Sequence, residues 1–448
     1  MKPKINPDTN ISNLQYEKAL ECINFIKSVL RLREHNISYK DYEPRKNWDR
    51  KNPALSDWVK FNDYILENPD YDIINKLRWF TGAFTGHPLL KDFTFHNFLS
   101  GRNKLLNLPN TSLIDISNIS YNPRRYNWRW YENFLPRKYQ IKTPNILGEL
   151  GYLYKDIICN LDTKDYFERI SILNECGVLP YLENRSKEEK KGITFLEIGA
   201  GYGFLSYLLM QAIPTNRYFV IDIPESLLFS SIYLSIVFPD RNLIYIDNVK
   251  IEDLNQDGIY FIPNMFWNEI SQKMKDVDIV LNTLSFHEMP SCAVEDYADK
   301  VKKIFKSNNQ VSPGFIFEQN LDNFGERNGC NAKLILRNKF YSKVISQIYT
   351  SQTRGYSELH SLNKELFTKI SNFRPRIPYT KKMRFCLNRL FLLNLIKGLV
   401  PIKIRRFIKF CLLRRSRGIK NVKKLRRMKT FDLIILNLKN VGKHYFFQ

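Results

Sequence analysis

The chain has 448 residues, 44% of them hydrophobic and 14% aromatic, enough for two or three packed globular domains. Its net charge is +24, but after residue 370 there are 22 Lys and Arg against one acid, Asp432, so the basicity belongs to a tail. Seven scattered cysteines without a CxxC pair argue against zinc or thiol redox chemistry and for reduced thiols in a cytoplasmic protein.

The opening MKPKINPDTNISNLQ has no apolar stretch behind its lysines and does not resemble a signal peptide. The longest apolar run, LFLLNLI at 390–396, is about a third of what a spanning helix needs. Residues 1–185 are expected to be mostly helical, as in YEKALECINFIKSVLRLREH, where apolar positions recur at helical spacing. Within them YNPRRYNWRWYENFLPRKY (121–139) reads as an irregular packed loop, although an aromatic and arginine surface also suits sugar rings. PNILGELGYLYKD follows, with Glu149 at an expected helix start. This region is open to three roles: substrate lid, acceptor binding or dimerisation.

ENRSKEEKK (183–191) is charged and apolar-free and reads as a linker. Beyond it short apolar runs alternate with helical stretches: ITFLEIG, RYFVIDI, NLIYID, DVDIVLNTLSF and PGFIFEQ. That alternation predicts a doubly wound, Rossmann-like α/β sheet over 191–330, followed by a basic helical extension over 331–448.

FLEIGAGYGFLSYLL (195–209) reads as strand, glycine turn and helix start, which is where such sheets bind a cofactor. The glycines are Gly199, Gly201 and Gly203, and Phe204 stands where a dinucleotide fingerprint places its third glycine. There is no P-loop lysine. Glu197 before the turn would repel a phosphate but can accept from an amino-acid ammonium, which points to S-adenosylmethionine. The turn resembles the first motif of class I S-adenosylmethionine-dependent methyltransferases. RYFVIDIPESL ends in Asp222, 23 residues after Gly199, placed to take both ribose hydroxyls; the competing reading is a helix N-cap before Pro224.

DVDIVLNTLSFHEMP (276–290) supplies a third strand, ending near Asn282, so that Asn282, Ser285, His287 and Glu288 emerge at the cofactor edge. Methyl transfer to an alcohol needs the acceptor aligned and its proton removed. His287 is the candidate base, and Glu288 the carboxylate that orients it or stabilises its imidazolium. One carboxylate is a poor ligand set for a divalent ion, so no metal is expected.

Asp278, Val280, His287 and Glu288 together resemble the strand and base of small-molecule O-methyltransferases typified by plant phenol-methylating enzymes. That resemblance implies that Met265 and Phe266 of PNMFW line an adenine pocket, with Asn264 in place of the usual acid. The chain is more similar to a bacterial sugar O-methyltransferase family that combines GELG, LEIGAGYG, DIPE, NTxSFxEM and a strand ending in Gln-Asn, here Gln319 and Asn320. The resemblance spans roughly residues 144–330 and implies a sugar in a cell-surface glycan, or its lipid-linked precursor, as acceptor.

The tail KKMRFCLNRLFLLNLIKGLVPIKIRRFIKFCLLRRSRGIKNVKKLRRMK (381–429) interleaves apolar and cationic residues. Three readings stand: a helical extension packed on the core, an interfacial helix on anionic lipid, and a nucleic-acid footprint. The lipid reading is favoured because phenylalanine and leucine outnumber anything that could read bases, and it places the protein at the inner face of the cytoplasmic membrane. The function expected is sugar O-methylation; an RNA methyltransferase or a non-catalytic membrane scaffold are the alternatives.

Overall fold

The computed structural model describes residues 2–5, 10–36, 56–80, 135–154, 157–248, 254–306, 313–320, 330–346 and 357–370. All lie in the first of the two units into which the chain divides, Met1–Leu387. The basic tail 381–429 and the arginine-rich stretch 121–134 fall outside the described residues.

Strand β1 (Lys2–Ile5) is followed by helix α1 (Asn13–His35). The Ser12 hydroxyl accepts from Gln15 N and the Gln15 side chain from Ser12 N, a capping box that starts α1. Its buried residues Cys22, Ile26, Val29 and Arg33 fall at helical spacing on one face. Helix α2 (Ser56–Glu67) follows. Strands β2 (Leu150–Tyr154) and β3 (Ile157–Cys159) then join β1 in an antiparallel sheet of order β1-β2-β3. A strand, not a helix, thus follows Glu149: Leu147 and Gly148 take φ of 55° and 72°, turning the chain, and LGYLY pairs on both sides. Helix α3 (Leu161–Glu175) is capped by Asn160, whose side chain accepts from Thr163 N. Helix α4 (Val178–Glu189) absorbs most of the charged stretch expected to be a linker, because Leu179, Leu182 and Ser186 are buried along its inner face. The chain breaks only at Lys190, where φ is 51°.

The second sheet begins with β4 (Ile193–Ile198), α5 (Phe204–Ala212), β5 (Thr215–Asp222) and α6 (Pro224–Val237). It continues through β6 (Leu243–Tyr245), β7 (Gly258–Pro263), α7 (Trp267–Lys273), β8 (Ile279–Thr283), α8 (Ser291–Ile304) and β9 (Phe315–Gln319). Helix α9 (Ala332–Arg337), β10 (Tyr341–Ser346) and β11 (Ser357–Ser361) complete it. The order is β10-β11-β9-β8-β4-β5-β7-β6; β4 to β9 are parallel and β11 runs antiparallel to both neighbours. This is the doubly wound, Rossmann-like sheet expected. It runs past Cys330, through two strands in the stretch assigned from sequence to the C-terminal extension.

The strands at the centre, β4, β7, β8 and β9, are buried at every position, which is why they read as continuous apolar runs. Helix α6 is buried from Pro224 to Ile236. The hydroxyls of Ser230, Ser231 and Ser235 donate to carbonyls three residues back, satisfying them there. Arg33 of α1 forms a buried ion pair with Glu225 of α6 at 2.6 Å, tying the amino-terminal helix to the sheet domain.

The chain leaves β4 for β5 on one side and later returns as β8 on the other, so the carboxyl ends of β4 and β8 flank a topological switch point. Register aligns that edge: Ile198 pairs with Asn282, Asn282 with Glu318, Thr283 with Gln319, and Asp222 with Pro263.

Candidate active site

Between β4 and α5 the backbone takes positive φ at Gly199 (79°), Gly201 (60°) and Gly203 (89°). A side chain is excluded at Gly199 by space as well: a Cβ there would lie 2.5 Å from Ser285 Cβ and closer still to its hydroxyl. The glycine turn and the loop after β8 are therefore in direct contact. Ser285 Oγ donates to Ile198 O at 3.1 Å and accepts from Asn282 Nδ2 at 2.6 Å, locking the two together.

Asp222 ends β5 and is partly buried. Its Oδ1 accepts from Ile223 N at 2.8 Å and its Oδ2 faces Gly201 N at 3.4 Å. Helix α6 is capped at Ile223 with no side-chain bond, so Asp222 is not the N-cap; its carboxyl faces the glycine turn. Burial pushes that carboxyl up to about 7, although the Ile223 and Gly201 N–H groups favour the anion.

Glu197 is fully buried, and its Oε2 accepts from Ser206 Oγ at 2.6 Å and Tyr218 Oη at 2.7 Å. Burial raises its carboxyl as well. Oε2 is thus spent joining β4, β5 and α5, leaving Oε1 for any ligand.

A short 3-10 turn, Asn264–Phe266, follows β7. Met265 and Phe266 are buried, and Asn264 Oδ1 is buried without a hydrogen-bond partner among the described residues. Asn282 is saturated: Nδ2 donates to Ile198 O (2.8 Å) and Ser285 Oγ, and Oδ1 accepts from Phe286 N (3.2 Å) and Asn320 Nδ2 (2.8 Å). Its amide has two donors and two lone pairs, so it braces the strand ends instead of reaching a ligand.

His287 and Glu288 lie in a second 3-10 turn, Phe286–Glu288. His287 is buried; its Nδ1 faces Asn320 Oδ1 at 3.3 Å and its Nε2 lies 3.7 Å from Glu288 Oε1. Asp278, at the far end of β8, is structural, its carboxylate holding Thr194 N at 2.7 Å and Arg185 at 2.6 Å.

The amino-terminal region packs against the glycine turn. Tyr202, inside the glycine turn, carries the Arg78 guanidinium 3.7 Å over its ring. Arg78 is fixed by Glu149 (Nε to Oε2, 2.8 Å) and Asp162 (Nη2 to Oδ2, 3.1 Å). Tyr166 of α3 packs edge-on against Tyr202 and Phe204, and Arg169 Nε donates to Gln319 Oε1 at 2.9 Å. Sequence periodicity pointed to neither Arg78 nor Arg169. The partner carboxylate, Glu149, lies in the GELG motif of the family resemblance, and no local pattern announces an arginine 71 residues away from it.

Among the described residues no His, Cys, Asp or Glu cluster is suited to a metal ion, and no helix is long and apolar enough to cross a membrane.

No protein-family model and no curated protein matches the chain. Among solved structures it is similar to the bifunctional kinase-methyltransferase WbdD at 14% identity over 53% of this chain and 46% of that one, with a TM-score of 0.31. It is similar to the mitomycin 7-O-methyltransferase MmcR at 13% identity over 45% and 57%, with a TM-score of 0.25. Human methyltransferase-like protein 13, in complex with SAH, matches at 12% identity over 53% and 93%, with a TM-score of 0.27. The chain spans about half the length of the WbdD chains it matches.

Proposed function

We propose that this protein is an S-adenosylmethionine-dependent O-methyltransferase acting on a sugar hydroxyl of a cell-surface glycan or its lipid-linked precursor. The observation that carries the reading is the meeting, at one switch point, of a left-handed glycine turn with the carboxyl that ends the next strand, Gly201 N to Asp222 Oδ2 at 3.4 Å. The residues present fit the cofactor. Asp222 suits two ribose hydroxyls, and the unpaired, buried Asn264 Oδ1 suits an exocyclic amine of adenine. Met265 and Phe266 would give that end an apolar wall, and the Glu197 carboxylate suits an ammonium.

Bound there, the cofactor supplies an activated methyl group. The protein's part is to hold the acceptor hydroxyl at the neighbouring strand end and to remove its proton. His287 Nε2 takes that proton, and Glu288 Oε1, 3.7 Å away, stabilises the resulting imidazolium. The sugar acceptor rests on the sequence resemblance. The basic tail brings the protein to anionic lipid, where such a precursor would reside.

Calorimetric titration of S-adenosylhomocysteine into the wild type and Asp222→Ala tests the adenosyl site. Micromolar binding weakened by the substitution supports it. A folded wild type that binds nothing overturns it.

A further inference from the structure

Three side chains at the carboxyl ends of β8 and β9, Asn282, Asn320 and His287, form a chain of hydrogen bonds whose direction is set by the backbone. A carbonyl oxygen can only accept and an amide N–H can only donate. Ile198 O, 2.8 Å from the Asn282 amide, therefore faces nitrogen, and Phe286 N, 3.2 Å from the other atom, faces oxygen. Two independent backbone groups thus give one orientation of Asn282. The atom of Asn320 that lies 2.8 Å from Asn282 Oδ1 must then be its nitrogen. Its oxygen turns to the other side, where the backbone N–H of His287 donates to it at 3.3 Å, a third anchor that agrees with the first two. The same oxygen faces His287 Nδ1 at 3.3 Å. Within hydrogen-bond distance of an oxygen that has no hydrogen to give, Nδ1 is favoured in its protonated form, whereas Glu288 Oε1 stands off from Nε2 at 3.7 Å, beyond a hydrogen bond.

We infer that Asn282 and Asn320 are positioning residues that hold neutral His287 as the Nδ1–H tautomer and so put the lone pair on Nε2. The inference rests on the proposed role of His287 as the proton acceptor, and it assigns the atom: Nε2, on the side of Glu288 Oε1. The proton that leaves the acceptor hydroxyl goes to Nε2, which becomes an N–H facing a carboxylate, while Nδ1–H keeps Asn320 as its acceptor throughout. The opposite tautomer would set the Nδ1 lone pair against Asn320 Oδ1 and would carry a proton where one has to be received. Asn320 is itself buried, and Lys333 Nζ donates to its backbone oxygen at 2.8 Å, so the relay is held from both ends.

Long-range 15N–1H correlation spectra of histidine-labelled protein read the tautomer directly, without an acceptor or turnover. The chain has six histidines, few enough for His287 to be assigned by its loss in His287→Gln. At a pH where the ring is neutral, the wild type is expected to show a protonated-type Nδ1 and an unprotonated-type Nε2. Asn320→Leu, which offers no acceptor, should move the ring toward the Nε2–H form, and Asn320→Asp should keep Nδ1–H. A wild-type ring in the Nε2–H form overturns the inference even if no variant folds. So does an Nδ1–H ring that persists unchanged in Asn320→Leu. Should the tautomer be as inferred while no acceptor is ever methylated, the relay stands and the proposed activity falls.

Discussion

Replacing Gly199 with alanine separates two demands that the glycine turn makes on one residue. The first is conformational: φ is +79°, and a residue with a Cβ held there loses about 1–2 kcal/mol. The second is steric: the new methyl would lie 2.5 Å from Ser285 Cβ, where carbons prefer about 3.5–4.0 Å. Ser285 cannot retreat without loosening its bonds to Ile198 O and Asn282 Nδ2, so overpacking adds about 1–3 kcal/mol. Together Gly199→Ala should cost about 2–5 kcal/mol, a large share of a typical stability of about 5–15 kcal/mol. Ser285→Gly in the same chain removes the collision and leaves the conformational part. Urea unfolding of the wild type, both single variants and the double variant should therefore show favourable coupling of about 1–3 kcal/mol. A Gly199→Ala protein within about 0.5 kcal/mol of the wild type, or a cycle without coupling, would refute the claim that the turn and the loop after β8 touch at this residue.

Asp222 should couple the site to pH. Its carboxyl is raised to about 7, so the stability it contributes is full at acid pH and is lost as pH rises through 7. Asp222→Asn should flatten that fall, which in the wild type should amount to about 1–3 kcal/mol between pH 5 and 8 in urea titrations. S-adenosylhomocysteine affinity should run the opposite way, rising up to about tenfold from pH 6 to 8 as the hydroxyl-binding carboxylate forms, and a flat calorimetric profile would count against the assignment. His287→Ala should lower turnover by about 100-fold or more with cofactor affinity intact; unchanged turnover removes His287 from the mechanism. Deleting residues 381–448 should abolish flotation on anionic vesicles, and equal flotation of both forms would end the lipid reading of the tail.

Much of this site is legible in one stretch of sequence because its signals are local. A run of buried residues must be apolar when a strand is covered on both faces, as in ITFLEI, and a turn with three positive φ values calls for glycine at 199, 201 and 203. Asp222 is visible for the same reason, as the acid that closes the next apolar run. Strand β11 was not legible: SELHS has one aliphatic residue, and its burial comes from β9, β10 and the polar partners of Glu358 and His360, Arg337 and Ser342. The charged 183–191 stretch reads as a linker because charge dominates its composition, yet Ser186 and the preceding Leu179 and Leu182 are buried on one face of a helix that carries it to Glu189.

By itself the sequence determined five strands of the sheet, the glycine turn and the carboxyl beside it, since each follows from neighbours within a few residues. Only the tertiary structure decided which side chains do each other's work. Asn320 meets His287 across 33 residues, Arg78 meets Tyr202 through carboxylates from two further segments, and Asn282 turns out to be a brace. Hydrogen bonds and ion pairs of that kind have no period along the chain. They arise when parallel strands in register bring distant strand ends to one edge, where buried polar atoms must find partners there or nowhere.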